Sequence, residues 1–194
     1  QYLQKRNLVD KKEYQEFFNE DYIQFIDGKP RNEGVQSFLE SRGIVLKRGD
    51  PEDVPGEGTI YGLGNLKNKY YNKLLKTHGP TVFEDSIDQI KSWNKSGIKM
   101  AVVSSSKNCK KVLEIAKIEK FFKVRIDGND LRKLNLKGKP EPDLFLEAIK
   151  RLKVEPGHTL IVEDAISGVQ AGKKSNVAYV IGINRESEND DLKQ

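Results

Sequence analysis

The sequence predicts an α/β protein in which a doubly wound parallel sheet follows a smaller helical domain. Up to about residue 79 only helix-like patterns occur, whereas from residue 80 onward they alternate with short apolar segments. A parallel sheet covered by helices on both faces produces this alternation. Gly79 and Pro80 separate the two patterns, because neither residue favours the continuation of a helix. We therefore predict a helical domain at residues 1–79 and an α/β domain at residues 80–194.

The helical domain is expected to contain three helices. The first begins at Asp10, where Glu13 completes a capping-box pattern, and the second spans residues 32–41. The third follows a polar loop rich in Pro and Gly at residues 47–59 and ends at His78. Helical spacing places four apolar residues of this third helix on one stripe: Leu63, Leu66, Tyr70 and Leu74.

The α/β domain is expected to alternate helices with strands. Its helices are predicted at residues 84–96, 107–117, 142–152 and 165–174. Its strands are predicted at residues 100–103, 124–126, 159–162 and 178–181. Because ligands of doubly wound sheets bind beyond the carboxyl ends of the strands, we expect the chemistry to follow Val103, Ile126 and Val162.

A run of hydroxyl side chains, Ser104-Ser105-Ser106 in the segment SSSKN, directly follows the first predicted strand. A hydroxyl at a strand end, followed by the free N–H groups of a helix start, favours a negatively charged ligand such as phosphate. The alternative is that Ser106 only caps the helix, since serine is a common N-cap residue.

A lysine, Lys139, lies in the segment GKPEPDLF that precedes the third predicted helix of this domain. Pro140 disfavours a helical backbone at the residue before it, and Pro142 suits a helix start. The segment therefore predicts a lysine on a stiff, extended loop. The alternative is an ordinary surface lysine.

Two adjacent acids, Glu163 and Asp164, follow a strand that is predicted to be buried. Successive side chains of an extended chain point to opposite sides, so one acid would bind a cation directly while the other supports it. Mg²⁺ would relieve the repulsion between the two carboxylates. Gly168 and Gly172 would let the next helix pack closely on the sheet. The alternative is that Asp164 caps that helix while Glu163 is solvated.

Taken together, these three motifs resemble those of the haloacid dehalogenase superfamily of phosphotransferases. SSSKN, KPEPDLF and EDAISGVQAG are similar to motifs of its β-phosphoglucomutase-like phosphatase subgroup, and residues 25–44 resemble the helical cap domain found there. The resemblance implies a Rossmann-like core with a small helical cap domain. It also implies Mg²⁺-dependent phosphoryl transfer on a small phosphorylated substrate such as a sugar phosphate.

The resemblance further implies roles for individual residues. Ser104 and Lys139 would act on the phosphoryl group as catalytic residues, while Asp164 and Glu163 would hold the metal. The residues expected to contact the substrate are Lys29, Arg31, Ser105, Ser106, Lys107 and Asn108. Arg31 would hold a distal phosphate through two hydrogen bonds, unless it is a surface residue near a helix start.

The chain departs from the family pattern because it contains no Asp-x-Asp motif. In the family this motif supplies the nucleophile, which forms an aspartyl-phosphate, and the general acid/base. We expect the motif and a central strand upstream of Gln1, and a further strand and helix after Arg185. Gly128 places Asp127 and Asp130 in a turn at the rim of the site, so they would not replace the nucleophile. The 194 residues alone are therefore expected to fold poorly and to be inactive.

Composition narrows the remaining classes of protein. The net charge is +5 and the pI is near 9.1, but the lysines are scattered, so binding of nucleic acid is not expected. No apolar run is long enough to cross a membrane. Cys109 is a single cysteine, which fits a cytoplasmic protein, and His78 and His158 are too isolated for a zinc site. A monomer is expected.

Three functions stay open within the phosphotransferase interpretation. A phosphatase ranks first because transfer to water needs the fewest special groups. A phosphosugar mutase of the β-phosphoglucomutase type differs only in the acceptor, which is a sugar hydroxyl. A non-catalytic homologue that binds a phosphorylated ligand would carry another residue pair in place of the upstream Asp-x-Asp motif.

Overall fold

The computed structural model describes Leu3 and residues 15–184. Within these residues the chain forms two compact units, one of residues 15–26 and 32–70, the other of residues 27–31 and 71–184. The division at residues 70–71 lies inside a helix that ends at His78, so the domain boundary at residues 79–80 stays a prediction. The predicted start of the first helix, at Asp10, lies outside the described residues.

The first unit holds one whole helix and most of two others: α1 (Asn19–Phe25), α2 (Arg31–Ser41) and α3 (Ile60–His78). Its buried core residues are Val35, Leu39 and Ile60. The second helix and the end of the third lie where the sequence predicts them. The predicted stripe of α3 is wrong at its end, since Tyr70 and Leu74 are exposed and Leu75 is buried instead. Two adjacent leucines satisfy the helical spacing almost equally well, and only tertiary packing selects between them.

The second unit alternates helices with short strands, as predicted. Its elements in chain order are α4 (Glu84–Lys95), β1 (Ala101–Val103), α5 (Cys109–Ile115), β2 (Val124–Ile126), α6 (Gly128–Lys133), α7 (Asp143–Leu152), β3 (Leu160–Glu163), α8 (Ile166–Lys174) and β4 (Tyr179–Gly182). Only α6 is absent from the prediction, which places a turn there. A capping box formed by Asp127 and Asp130 extends that turn into a short helix.

The described strands form two parallel pairs. β1 pairs with β2, so that Val103 lies opposite Ile126, and β3 pairs with β4, so that Glu163 lies opposite Gly182. The parallel pairing is as predicted, but no described residue forms a strand that joins the two pairs into one sheet. The expected central strand therefore stays a prediction.

Helix α7 packs against both strand pairs. Leu144 is buried against Ile126 of β2, and the next residue, Phe145, is buried against Ile161 of β3. The third strand, predicted to be buried, is buried on one face only, since Ile161 and Glu163 are buried while Leu160 and Val162 are exposed. None of the helices described here is long and apolar enough to span a bilayer.

Candidate active site

Lys139 and Glu163, from two of the predicted motifs, form a buried ion pair. The Nζ of Lys139 donates to Oε1 of Glu163, and the two residues are only 5% and 9% exposed. A turn closed by the N–H of Glu141 on the carbonyl of Gly138 (2.9 Å) holds Lys139, which precedes a cis proline peptide bond. Its Nζ also lies 5.1 Å from the centre of the Phe145 ring. The structure therefore places Lys139 in the interior and not on the surface.

Glycines of α8 make room for this arrangement. A Cβ atom on Gly168 would collide with the carboxylate of Glu163, so any larger residue would displace that carboxylate where it folds back over the start of α8. Gly172 performs the packing role that the sequence predicts, because its Cβ position lies only 3.1 Å from Val180 of β4. The first of these two glycines thus shapes the candidate site itself.

Asp164 lies in the bend directly after β3 and, unlike its neighbour Glu163, is not buried. Its side chain is exposed and makes no ion pair with any residue from 15 to 184. The alternative that Asp164 caps the following helix is wrong, since the N-cap of α8 is Ala165 and no side chain caps it. Two adjacent carboxylates therefore differ sharply, with Glu163 buried and paired and Asp164 open to solvent.

The two carboxylates fit a magnesium ion in part. Mg²⁺ prefers oxygen ligands and keeps several waters, so one or two carboxylates suffice to hold it. Asp164 offers an open carboxylate, whereas Glu163 already contacts Lys139 and receives the N–H of Ala165 at 3.4 Å. Within residues 15–184 no three His, Cys, Asp or Glu side chains cluster as a metal site. Asp164 thus fits a direct ligand and Glu163 a supporting position.

The hydroxyl segment after β1 is folded into successive tight turns. The N–H of Ser106 donates to Oγ of Ser104 (3.1 Å), and the N–H of Asn108 donates to Oγ of Ser106 (3.1 Å). Ser106 therefore stabilises the approach to α5 by accepting a backbone N–H, but the alternative that it caps this helix is wrong, since the N-cap of α5 is Asn108 and no side chain caps it. Lys107 is exposed and Asn108 is partly exposed, so the segment has an accessible side.

Ser105 makes a long-range contact that the sequence did not predict. Its Oγ donates to the carbonyl of Gly28 at 2.6 Å. Gly28 has a φ of +68°, and a Cβ atom there would collide with Oγ of Ser167. The turn around Gly28 is thus held between the segment after β1 and the start of α8, within the second unit.

Lys29 and Arg31 follow this turn directly. Both side chains are partly exposed, and burial lowers the pKa of the Arg31 guanidinium below its ordinary value. The turn therefore brings both predicted substrate-contacting cations into the unit that carries the other site residues. Their contact with a substrate stays a prediction.

Sequence reasoning missed the part played by the residues after β2. Asp127 is 2% exposed, and Nε of Arg125 donates to its Oδ2 at 2.9 Å. Oδ1 of Asp127 accepts the N–H of Asn129 at 2.8 Å. Close by, the pKa of the Cys109 thiol is raised to about 11, first by burial and next by the negative charge of Asp127. A signal was present, because Asp-Gly-Asn-Asp after a strand is a capping-box pattern.

Comparison with known proteins assigns the family. The sequence model for haloacid dehalogenase-like hydrolases matches residues 6–181. The chain belongs to this family. A β-phosphoglucomutase from Mycobacterium bovis is 45% identical over 165 residues, which make up 85% of this chain and 63% of that protein. The chain thus spans less than two thirds of this relative.

Further comparisons confirm the predicted fold of this family member and find similar proteins within the expected subgroup. A phosphorylated carbohydrates phosphatase from Thermotoga maritima is 27% identical over 168 residues, covering 86% of this chain and 70% of that protein. The structure of a β-phosphoglucomutase from Clostridium difficile matches with a TM-score of 0.67 at 23% identity, covering 86% of this chain and 70% of that one. The second match shows the α/β fold alone.

Proposed function

We propose that this chain carries the phosphoryl-transfer site of a Mg²⁺-dependent phosphatase that acts on a small phosphorylated metabolite, in the first place a sugar phosphate. One observation carries the proposal: the buried Lys139 is held by Glu163 directly beside an open Asp164 at the end of β3. A buried cation paired at such cost in desolvation is typical of a functional site. Membership of the hydrolase family supports the same chemistry.

Each residue has a definite part in the proposed reaction. The hydroxyl of Ser104 donates a hydrogen bond to a phosphoryl oxygen, and the ammonium of Lys139 stabilises negative charge as the transition state develops. Asp164 holds the metal, and Glu163 keeps Lys139 in place beside it. When bound, Mg²⁺ neutralises charge on the phosphoryl oxygens. The remaining substrate contacts are assigned to Lys29, Arg31, Ser105, Ser106, Lys107 and Asn108.

A phosphosugar mutase is the second candidate. The 45% identical relative is named a β-phosphoglucomutase, which favours this reading, whereas the Thermotoga relative is named a phosphatase of phosphorylated carbohydrates. The two reactions differ in whether water or a sugar hydroxyl accepts the phosphoryl group. A monomeric, cytoplasmic enzyme without nucleic-acid or membrane partners is part of the same proposal.

Turnover by the complete gene product distinguishes these reactions. We expect release of inorganic phosphate from a panel of sugar phosphates with added Mg²⁺ and none after chelation. Conversion of β-glucose 1-phosphate to glucose 6-phosphate without release would instead establish the mutase. Binding of phosphorylated sugars without turnover would establish the non-catalytic homologue.

Replacement of the proposed metal ligand tests the site. Asp164→Asn should require far more Mg²⁺ and should lower kcat/KM by about a hundredfold or more, because a carboxylate is exchanged for a neutral amide. Asp88→Asn is the matched control, since Asp88 is an exposed aspartate of α4 whose side chain pairs with Lys91 on the same helix. Equal Mg²⁺ dependence in the wild type and Asp164→Asn would contradict the assignment.

A further inference from the structure

The residue after Asp127, Gly128, lies unusually close to the hydroxyl segment after β1. A Cβ atom on Gly128 would lie 2.5 Å from the carbonyl oxygen of Ser105, 2.9 Å from the backbone nitrogen of Lys107 and 3.0 Å from the carbonyl carbon of Ser106. The backbone of three consecutive residues, Ser105 to Lys107, therefore packs directly against Gly128. Any side chain here would displace backbone and not a flexible side-chain end.

Hydrogen bonds join the same two segments. The N–H of Gly128 donates to the carbonyl of Ser106 (3.3 Å), and Nδ2 of Asn129 donates to the carbonyl of Lys107 (3.1 Å). Asp127 holds the donor residue Asn129 in place, because its Oδ1 accepts hydrogen bonds from both the backbone N–H and the Nδ2 of Asn129. The carbonyls of Ser106 and Lys107 thus accept hydrogen bonds from the segment after β2, while both residues remain exposed to solvent on their other side.

Asp127 is itself held in one orientation. It is almost completely buried, and Arg125 donates to its second oxygen while also pairing with Glu119 at 3.2 Å. A buried carboxylate with both oxygens occupied is rigid, so the backbone at Gly128 has little freedom to move. Because the hydroxyl segment packs directly on Gly128, the fixed position of Asp127 also restricts the movement of that segment.

We propose that Asp127, Gly128 and Asn129 are positioning residues that set the phosphate affinity of the segment from Ser104 to Lys107. The proposal rests on the proposed function, because it assigns that segment to a phosphoryl group. A phosphate site gains affinity when its donors are held in place before the ligand arrives. None of the three residues touches the phosphate in this scheme.

Gly128→Ala is the decisive variant. Gly128 is the first residue of α6, where alanine is conformationally acceptable and a better helix former, so α6 itself is not weakened by the substitution. The added methyl group must instead push the hydroxyl segment away. Gly157→Ala is the matched control, because its Cβ position meets no atom within 4 Å.

Two measurements on the complete gene product separate this inference from the proposed function. Amide hydrogen exchange of residues 104–108 should accelerate in Gly128→Ala and stay at the wild-type rate in Gly157→Ala. The Kd for inorganic phosphate should rise about tenfold to a hundredfold in Gly128→Ala, since displacement of a site by about 1 Å has effects of this size. Asn129→Ala should shift both quantities in the same direction by a smaller amount, and it replaces Gly128→Ala if that variant does not fold.

Each outcome decides one of the two proposals. If amide hydrogen exchange of residues 104–108 is unchanged in both Gly128→Ala and Asn129→Ala, the positioning role is overturned, whatever the activity of these variants. Faster exchange with an unchanged Kd would overturn the link to phosphate affinity. If the wild type neither binds inorganic phosphate nor hydrolyses any phosphate ester, the proposed function fails, while the exchange rates still decide whether Gly128 positions the segment.

Discussion

At the scale of single residues, the ion pair of Lys139 with Glu163 is the feature of the site that carries the largest desolvation penalty. Both charges are removed from water, and the attraction between them only offsets that desolvation. Loss of either partner leaves an isolated charge in the interior. We infer that the pair is kept for the position it gives to Lys139 and not for its contribution to the free energy of unfolding.

A double-mutant cycle tests this interpretation. Lys139→Met and Glu163→Gln should each lower the free energy of unfolding by about 3–5 kcal/mol, because each strands one buried group. The double variant should lose much less than the sum of the single effects. Its phosphatase activity should nevertheless stay lost, since Lys139 is absent.

Urea denaturation and turnover assays supply both readouts. The exposed pair of Lys91 with Asp88 is the control. Lys91→Met and Asp88→Asn should each change the free energy of unfolding by at most about 1 kcal/mol. Additive losses in the buried pair would show that the two charges are not coupled. An active double variant would show that Lys139 has no part in the reaction.

A second residue-scale prediction concerns the thiol of Cys109. Its pKa rises from 9.0 to about 11, first because of burial. Between these two pH values the unfolded chain has lost the thiol proton while the folded chain retains it. The folded state then binds more protons, so the free energy of unfolding falls as pH rises through this window. Cys109→Ala should weaken this decline, as urea denaturation at about pH 8 and about pH 10 would record. An identical decline in Cys109→Ala would contradict the assignment to this thiol.

At the scale of elements, helix α7 connects the two strand pairs. Leu144 faces the pair of β1 with β2, whereas Phe145 faces the pair of β3 with β4. Adjacent residues of a helix differ in direction by about 100°, so one helix can bury neighbouring side chains against two surfaces. Since Lys139 lies four residues before the start of α7 and its Nζ lies over the ring of Phe145, this packing helps to set the position of Lys139.

Truncation of Phe145 should therefore damage both stability and activity. Phe145→Ala should lower the free energy of unfolding by about 3–5 kcal/mol, as expected for a large aromatic side chain lost from a core. The next residue provides the control, because Leu146 is 42% exposed and Leu146→Ala should change stability by about 0.5 kcal/mol. Equal losses in the two variants, measured in urea, would contradict this account of α7.

The elements were largely predictable because their signals are local. Strand β2 and helix α2 follow from patterns of a few residues, and their observed bounds agree with the prediction to within one residue. The burial of Lys139 was not predictable, since it depends on Glu163, 24 residues away. The contact of Ser105 with Gly28 spans 77 residues, and no local pattern encodes it. The site motifs were therefore visible in the sequence, while the contacts that position them arise only from the fold.

At the scale of the whole molecule, the net charge of +5 has a bearing on the substrate. A phosphorylated metabolite is an anion, and a positive protein raises its rate of encounter. The basic residues include strongly exposed lysines such as Lys110 and Lys150, whose side chains are 57% and 81% exposed. Exposed charges of this kind act on the substrate through solvent and are screened by salt.

This electrostatic contribution predicts a specific dependence on salt. Raising the ionic strength from about 0.01 M to about 0.15 M shortens the screening length from about 30 Å to about 8 Å. We expect kcat/KM for a sugar phosphate to fall severalfold over this range while kcat at saturating substrate stays constant, because only encounter is affected. The combined change of Lys110→Gln and Lys150→Gln removes two positive charges and should flatten the dependence of kcat/KM on salt without changing kcat. A parallel fall of kcat would show that salt acts on metal binding or on the fold. A salt-sensitive complex with duplex DNA at physiological ionic strength would show instead that the positive charge serves to bind nucleic acid.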